Sequence, residues 1–154
     1  MCTNNHIPDQ DWFKHKVSCS FAVITHDADC HTVTRELAIQ PHRFFNKGDE
    51  VTSAHAQSIG YRPYGLWEIQ SEPIIGGDEN VSAHIKYLQE LLGHKMEIIQ
   101  KLKNQYHFEC IFEVNIETES AGAGYDLSES ELSFIAKIAS RYVVHILDRE
   151  RIDG

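Results

Sequence analysis

The chain has 154 residues, a length that suits one domain with a buried core. Apolar residues make up 42% and charged residues 24%, which excludes a disordered or fibrous chain, and no apolar run approaches the ~20 residues of a membrane-spanning helix. Fourteen Lys and Arg against 23 Asp and Glu leave a formal charge of −9, which disfavours nucleic acid and anionic membranes as partners and favours a basic protein.

Residues 1–15 are polar, contain Pro8 and show no periodicity, so they read as an N-terminal tail whose Trp12 and Phe13 are able to pin it to the body. The start lacks the basic patch and apolar stretch of a secretory signal. Four scattered cysteines (Cys2, Cys19, Cys30, Cys110) form no Cys-x-x-Cys pair, which fits reduced thiols in a cytoplasm rather than a disulfide scaffold. From Val17 to Thr25, Cys19, Phe21 and Val23 alternate with Ser18, Ser20 and Ala22, the period of a strand. His26-Asp27-Ala28-Asp29 supplies a turn and a capping carboxylate, and a short helix carrying Val33 and Leu37 runs on until Pro41.

Periodicity dissolves over 42–64, where Phe44-Phe45 predicts a short strand and Asn46-Lys47-Gly48-Asp49 a turn; a loop this long is where function concentrates. Gly65 to Ser71 alternates again, with Leu66 and Glu68 on one face and Trp67 and Ile69 on the other, and Glu72-Pro73 and Gly76-Gly77 close it with a turn. Asp78-Glu79-Asn80 opens the longest helix, striped by Val81, Ile85, Leu88 and Leu92. Gly93 breaks it, and a second helical piece over 94–103 presents Met96, Ile99 and Leu102.

The clearest strand runs from Phe108 to Thr118: Phe108, Cys110, Phe112, Val114 and Ile116 face a core while Glu109, Glu113 and Glu117 face water. Ser128 with Glu131 makes a capping box, Leu127 with Leu132 a hydrophobic staple, and Ile135, Ala136 and Ala139 the expected buried stripe of a last helix. Tyr142 to Leu147 forms the final strand before a charged tail over 149–154. This order predicts an α+β fold: a two-layer sandwich with a mainly antiparallel sheet of five to six strands and two to three helices on one face, a single domain over 16–148.

Several short motifs recur in a known order. They are Leu37-x-Ile39-x-Pro41, Lys47-Gly48-Asp49, Gly65-Leu66-Trp67, a helix from His84 through Leu92, and Gly122-x-Gly124-Tyr125-x-Leu127. Together they resemble the bacterial domain-of-unknown-function family numbered 4279, from about Val17 to Leu147. The resemblance implies a small stand-alone bacterial domain and brings no established activity with it.

Among chemical constellations, His26, Asp27, Asp29, Cys30 and His31 offer metal-ligand groups. A zinc site needs three or four side chains converging at ~2.0–2.3 Å, however, and neighbours such as Cys30 and His31 diverge by about 100° on a helix, so turn and cap roles are preferred. Neither a metal nor a cofactor is expected. His84 and His145 sit beside apolar stripes as structural histidines, and Cys19 and Cys110 lie on core faces. No Gly-x-Ser-x-Gly elbow is present, and Gly122-Ala123-Gly124 lacks the Lys and Thr of a phosphate loop. No catalytic residue is therefore assigned, and a non-enzymatic role is favoured.

The richest cluster is Arg43, Phe44, Lys47, Tyr61, Arg62, Tyr64 and Trp67, cations and aromatics of the kind found in interface anchors and ligand clamps. The competing assignment, favoured because aromatics serve the core first, buries Trp67 and Phe44 and leaves the bases in solvent. Two functions follow as expectations. The first is a protein-binding domain, such as an immunity or defence-accessory protein, whose Glu109, Glu113 and Glu117 cover a basic partner. The alternative is a binder of, or enzyme acting on, an anionic small molecule, with a pocket under the 42–67 loop and Arg43, Lys47 and Arg62 gripping the anion. A homodimer through Ile74-Ile75 and the sheet edges is compatible with both.

Overall fold

The computed structural model describes residues 16–51, 60–76, 80–118 and 124–148; the tails read over 1–15 and 149–154, residues 52–59 of the irregular 42–64 segment, Gly77 to Glu79 and residues 119–123 lie outside them. Along the chain run β1 (Lys16–Thr25), α1 (His31–Leu37), β2 (Arg43–Phe45), β3 (Glu50–Val51), β4 (Gly60–Tyr61), β5 (Gly65–Gln70) and α2 (Glu72–Ile75). There follow α3 (Val81–Leu92), a 3-10 turn over Gly93–Lys95, α4 (Met96–Asn104), β6 (Glu109–Thr118), α5 (Glu129–Ile138) and β7 (Arg141–Asp148).

The α+β architecture takes the form of a five-stranded sheet in the order β2-β5-β1-β6-β7, with β3 and β4 as a separate two-stranded ribbon. All pairings in the large sheet are antiparallel except β6 with β7. A parallel pair needs a crossover connection, and α5 lies in that connection.

Strand faces obey the two-residue period. Cys19, Phe21 and Val23 of β1, Trp67 and Ile69 of β5, and Cys110, Phe112, Val114 and Ile116 of β6 are all buried in the helix-side core. Val33 and Leu37 of α1, Ile85, Leu88 and Leu92 of α3, Ile99 and Leu102 of α4, and Phe134, Ile135 and Ile138 of α5 complete that core. Each fully buried aliphatic or aromatic side chain contributes about 1.5–3 kcal/mol, so this layer is what holds the sheet. Four helices build it rather than two to three, because the 3-10 turn at Gly93 divides α3 from α4 and α1 buries a stripe of its own.

Polar side chains lock the layers. The Trp67 indole N–H donates to Thr34 Oγ1 at 2.9 Å, tying α1 to β5. Ser71 Oγ accepts the Cys19 N–H and donates to the Cys19 carbonyl, both at 2.9 Å, and lies 2.6 Å from Nδ1 of the buried His84. His84 therefore anchors α3 where β1 and β5 meet. The capping box of α5 is present, with Glu131 N–H donating to Ser128 Oγ and Ser128 N–H to Glu131 Oε1.

Some local expectations change. Helix α1 stops at Leu37, before Pro41, because Ala38 takes a left-handed conformation and returns its N–H to the Thr34 carbonyl. The stretch after β5 is the short helix α2 with Pro73 in its first turn, a position where proline's missing N–H leaves no helical bond unmade. The buried stripe of α5 is Phe134, Ile135 and Ile138, with Ala136 exposed. Phe44 is 52% exposed: its register opposite Trp67 points it to the helix side, but β2 is the sheet edge, where Phe44 packs against the His31 ring with centroids 5.6 Å apart.

Burial pushes the thiols of Cys19 and Cys110 up to about 12 and raises that of Cys30. A maleimide at neutral pH is therefore expected to leave these three cysteines unmodified in the native protein and to label all of them after denaturation, as read by peptide mass spectrometry. Native-state labelling of Cys19 or Cys110 would contradict their burial.

Candidate binding site on the open face of the sheet

The face turned away from the main core carries the alternate residues of the same strands. Strand register lines them up in rows across the sheet. Phe45, Leu66, Ile24 and Glu109 form one row; Arg43, Glu68, Ala22, Ile111 and Arg141 form the next; Gln70, Ser20 and Glu113 follow. Ala22, Leu66 and Ile111 are buried in a second, small apolar cluster, with Ile24, Phe45 and Val143 against it. Ala22 has only a methyl group between longer neighbours on the central strand, so the surface dips there. The resulting hollow, about 390 Å³, is walled by Arg43, Arg62, Glu68, Glu109, Glu113 and Arg141 together with His26 and Tyr64.

Most of these charges meet a partner. Arg141 Nε lies 3.2 Å from Glu109 and Arg43 3.9 Å from Glu68. Glu68 is only 7% exposed and also accepts from Gln70 Nε2 at 3.2 Å. Glu113 faces His145 at 3.7 Å, a partner that is cationic only when protonated, and accepts a long hydrogen bond from the Ser20 hydroxyl at 3.4 Å.

Arg62 is different. Its guanidinium stands 4.1 Å above the ring of Phe45, and among the described residues no carboxylate lies within ion-pair distance of it. Such cation–π contact orients a guanidinium without neutralising it.

The Lys47-Gly48-Asp49 turn sets the Arg62 backbone. Asn46 N–H donates to Asp49 Oδ2, Gly48 N–H to the Arg62 carbonyl, and Arg62 N–H to the Asp49 carbonyl, each at 2.8 Å. Gly48 has φ +89°, a left-handed conformation in which a side chain is strained. Asn46 Oδ1 in turn accepts the Cys30 N–H, and Asp29 accepts from the His31 N–H and from Asn46 Nδ2. Those bonds to Asp29, the backbone one foremost, hold its carboxyl below the usual range.

Of the residues singled out in the sequence, Arg43, Arg62, Tyr64, Glu109 and Glu113 converge on this hollow. Lys47 lies outside it, 3.1 Å from Asp27 at the surface. Tyr61 is exposed on the ribbon, and Trp67 is fully buried on the opposite face of the sheet. Glu117 lines a separate hollow of about 180 Å³ with Ser18, Gln70 and Asn115.

The turn constellation disperses in the same way: Cys30 Sγ donates to the Phe45 carbonyl at 3.2 Å, His31 meets Phe44, and Asp27 meets Lys47. No group of three or more His, Cys, Asp or Glu able to hold a metal occurs among the described residues.

Sequence reasoning gave no site role to Glu68, Phe45 or Arg141, and it weighed His26 only as a metal ligand or turn residue, not as part of this hollow. For Glu68 a signal existed, a carboxylate alternating with Trp67 and Ile69; for Arg141 there was none, because its place depends on the β6–β7 register.

No helix of the described residues is long and apolar enough to cross a membrane. No curated protein and no solved structure matches the chain. The family model described as a domain of unknown function, DUF4279, matches residues 15–148, most of the chain, and the protein belongs to that family.

Proposed function

We propose that this protein binds a small molecule bearing a carboxylate or phosphate in the hollow on the open face of the sheet. The observation that carries this is Arg62, a half-buried guanidinium held over the Phe45 ring beside an apolar floor, with no carboxylate partner among the described residues. An anion docking there gains charge-assisted hydrogen bonds, and the stacked ring lowers the entropy lost in ordering the arginine. A volume of about 390 Å³ lies within the range of small-molecule sites.

The protein-partner alternative, with Glu109, Glu113 and Glu117 covering a basic surface as in an immunity protein, draws support from the net charge of −9. Its acidic face is tempered by Arg141 beside Glu109 and His145 beside Glu113.

The test is thermal melting against a panel of phosphorylated and carboxylated metabolites. A ligand at a hundredfold its Kd stabilises by about 2.7 kcal/mol, a rise of roughly 5–10 °C for a chain this size. Arg62→Ala is expected to abolish the rise while leaving the ligand-free Tm nearly unchanged. A panel that moves no melting curve rejects the proposal.

A further inference from the structure

Resting on that assignment of the hollow, we infer that its ligand is a linear zwitterion, with its carboxylate on Arg62 and its ammonium on Glu113. Three acids and three arginines wall the cavity, and two of each already answer one another: Arg43 with Glu68, and Arg141 with Glu109. The remaining pair is left at opposite sides. Arg62 sits over Phe45 on the edge strand β2. Glu113 stands on β6, three strands away, where the groups facing it are the Ser20 hydroxyl from β1 and His145 from β7.

An ammonium on Glu113 displaces no guanidinium, and a carboxylate on Arg62 competes with no acid. A ligand carrying only one charge satisfies only one of them. Between the two lies an apolar floor of Leu66, Ile24, Ala22 and Ile111, which suits an uncharged hydrocarbon middle.

Geometry sets the length. Glu113 lies three strand spacings from Phe45 (~14 Å) and, since Glu109 shares the Phe45 row, four residues further along the strand (~13 Å), so the backbones stand ~20 Å apart on the diagonal and two long side chains leaning inward leave a gap on the order of 10 Å. The ends of an α-amino acid are too close together to reach both groups, whereas an ω-amino acid of about eight carbons spans them.

The experiment is a calorimetric titration of the full chain at pH 7.5 with 8-aminooctanoate, octanoate, octylamine and glycine. The expected result is that 8-aminooctanoate binds at least about tenfold more tightly than octanoate or octylamine, and that glycine does not bind. Arg62→Ala should reduce 8-aminooctanoate to the affinity of octylamine, and Glu113→Gln to that of octanoate, with circular dichroism unchanged.

Octanoate matching 8-aminooctanoate would overturn the zwitterion while leaving anion binding intact. Octylamine matching it would overturn both. A Glu113→Gln protein that loses octanoate as well would make Glu113 structural and overturn its assigned role. Absence of binding by all four compounds would overturn this inference, with the metabolite panel deciding anion binding separately.

Discussion

Trp67→Ala is expected to lower the unfolding free energy by about 3–5 kcal/mol, whereas Phe44→Ala, its register partner on the neighbouring strand, should change it by less than about 1 kcal/mol. The two aromatics face the same side of the sheet, yet one is fully buried and the other 52% exposed. Truncating Trp67 opens a cavity under α1 and leaves the Thr34 hydroxyl without its indole donor. Truncating Phe44 removes an edge contact with His31. Urea denaturation followed by circular dichroism measures both. A loss of 3–5 kcal/mol is a large part of the 5–15 kcal/mol typical of a domain, so Trp67→Phe, which keeps most of the ring and loses only the N–H bond, is the companion variant at about 1–2 kcal/mol. Equal losses at Trp67 and Phe44 would mean that the β2 edge is covered in solution.

Why the pair was not separable in the sequence is instructive. Alternation assigns a residue to a face, and it did so for Cys19, Phe21, Val23, Trp67, Ile69 and the Phe108–Ile116 series, all of which sit in the core. Depth on that face depends on strand order, which alternation does not encode: Phe44 is exposed because β2 ends the sheet. The Ser128–Glu131 capping box was legible because it is a contact between residues three apart. The hollow was legible only by halves. Arg43, Arg62 and Tyr64 cluster in one irregular segment, and Glu109 and Glu113 alternate in β6, but bringing the halves together takes β5 and β1 lying between them. Lys47 belonged to the correct turn for a different reason: its neighbours Gly48 and Asp49 hold the Arg62 backbone, while its own ammonium turns to Asp27.

Gly65→Ala, a change of one methyl group, is expected to destabilise the protein by about 3 kcal/mol or more, at the upper end of overpacking penalties. Gly65 opens β5 opposite Thr25 of β1, and a Cβ built there would lie 2.1 Å from Thr25 Oγ1 and 3.1 Å from Cys30 Sγ. Thr25 is fully buried, and its hydroxyl is already engaged with the Cys30 thiol, which in turn donates to the Phe45 carbonyl, so the hydroxyl has no free space to enter. Glycine stands here for volume rather than conformation, since Gly65 is not among the glycines with positive φ. A double-mutant cycle makes the cause measurable. Thr25→Ala alone removes the obstructing oxygen at a cost of about 1 kcal/mol, and in that background the Gly65→Ala penalty should fall to about 1 kcal/mol, because the nearest remaining atoms are the Cys30 sulfur at 3.1 Å, which has to give by a few tenths of an ångström, and the Thr25 Cβ position at 3.4 Å. The coupling read from denaturant unfolding is then at least about 2 kcal/mol. A Gly65→Ala penalty that is undiminished when Thr25 is alanine would place the strain in the β5 backbone and remove Thr25 as its source.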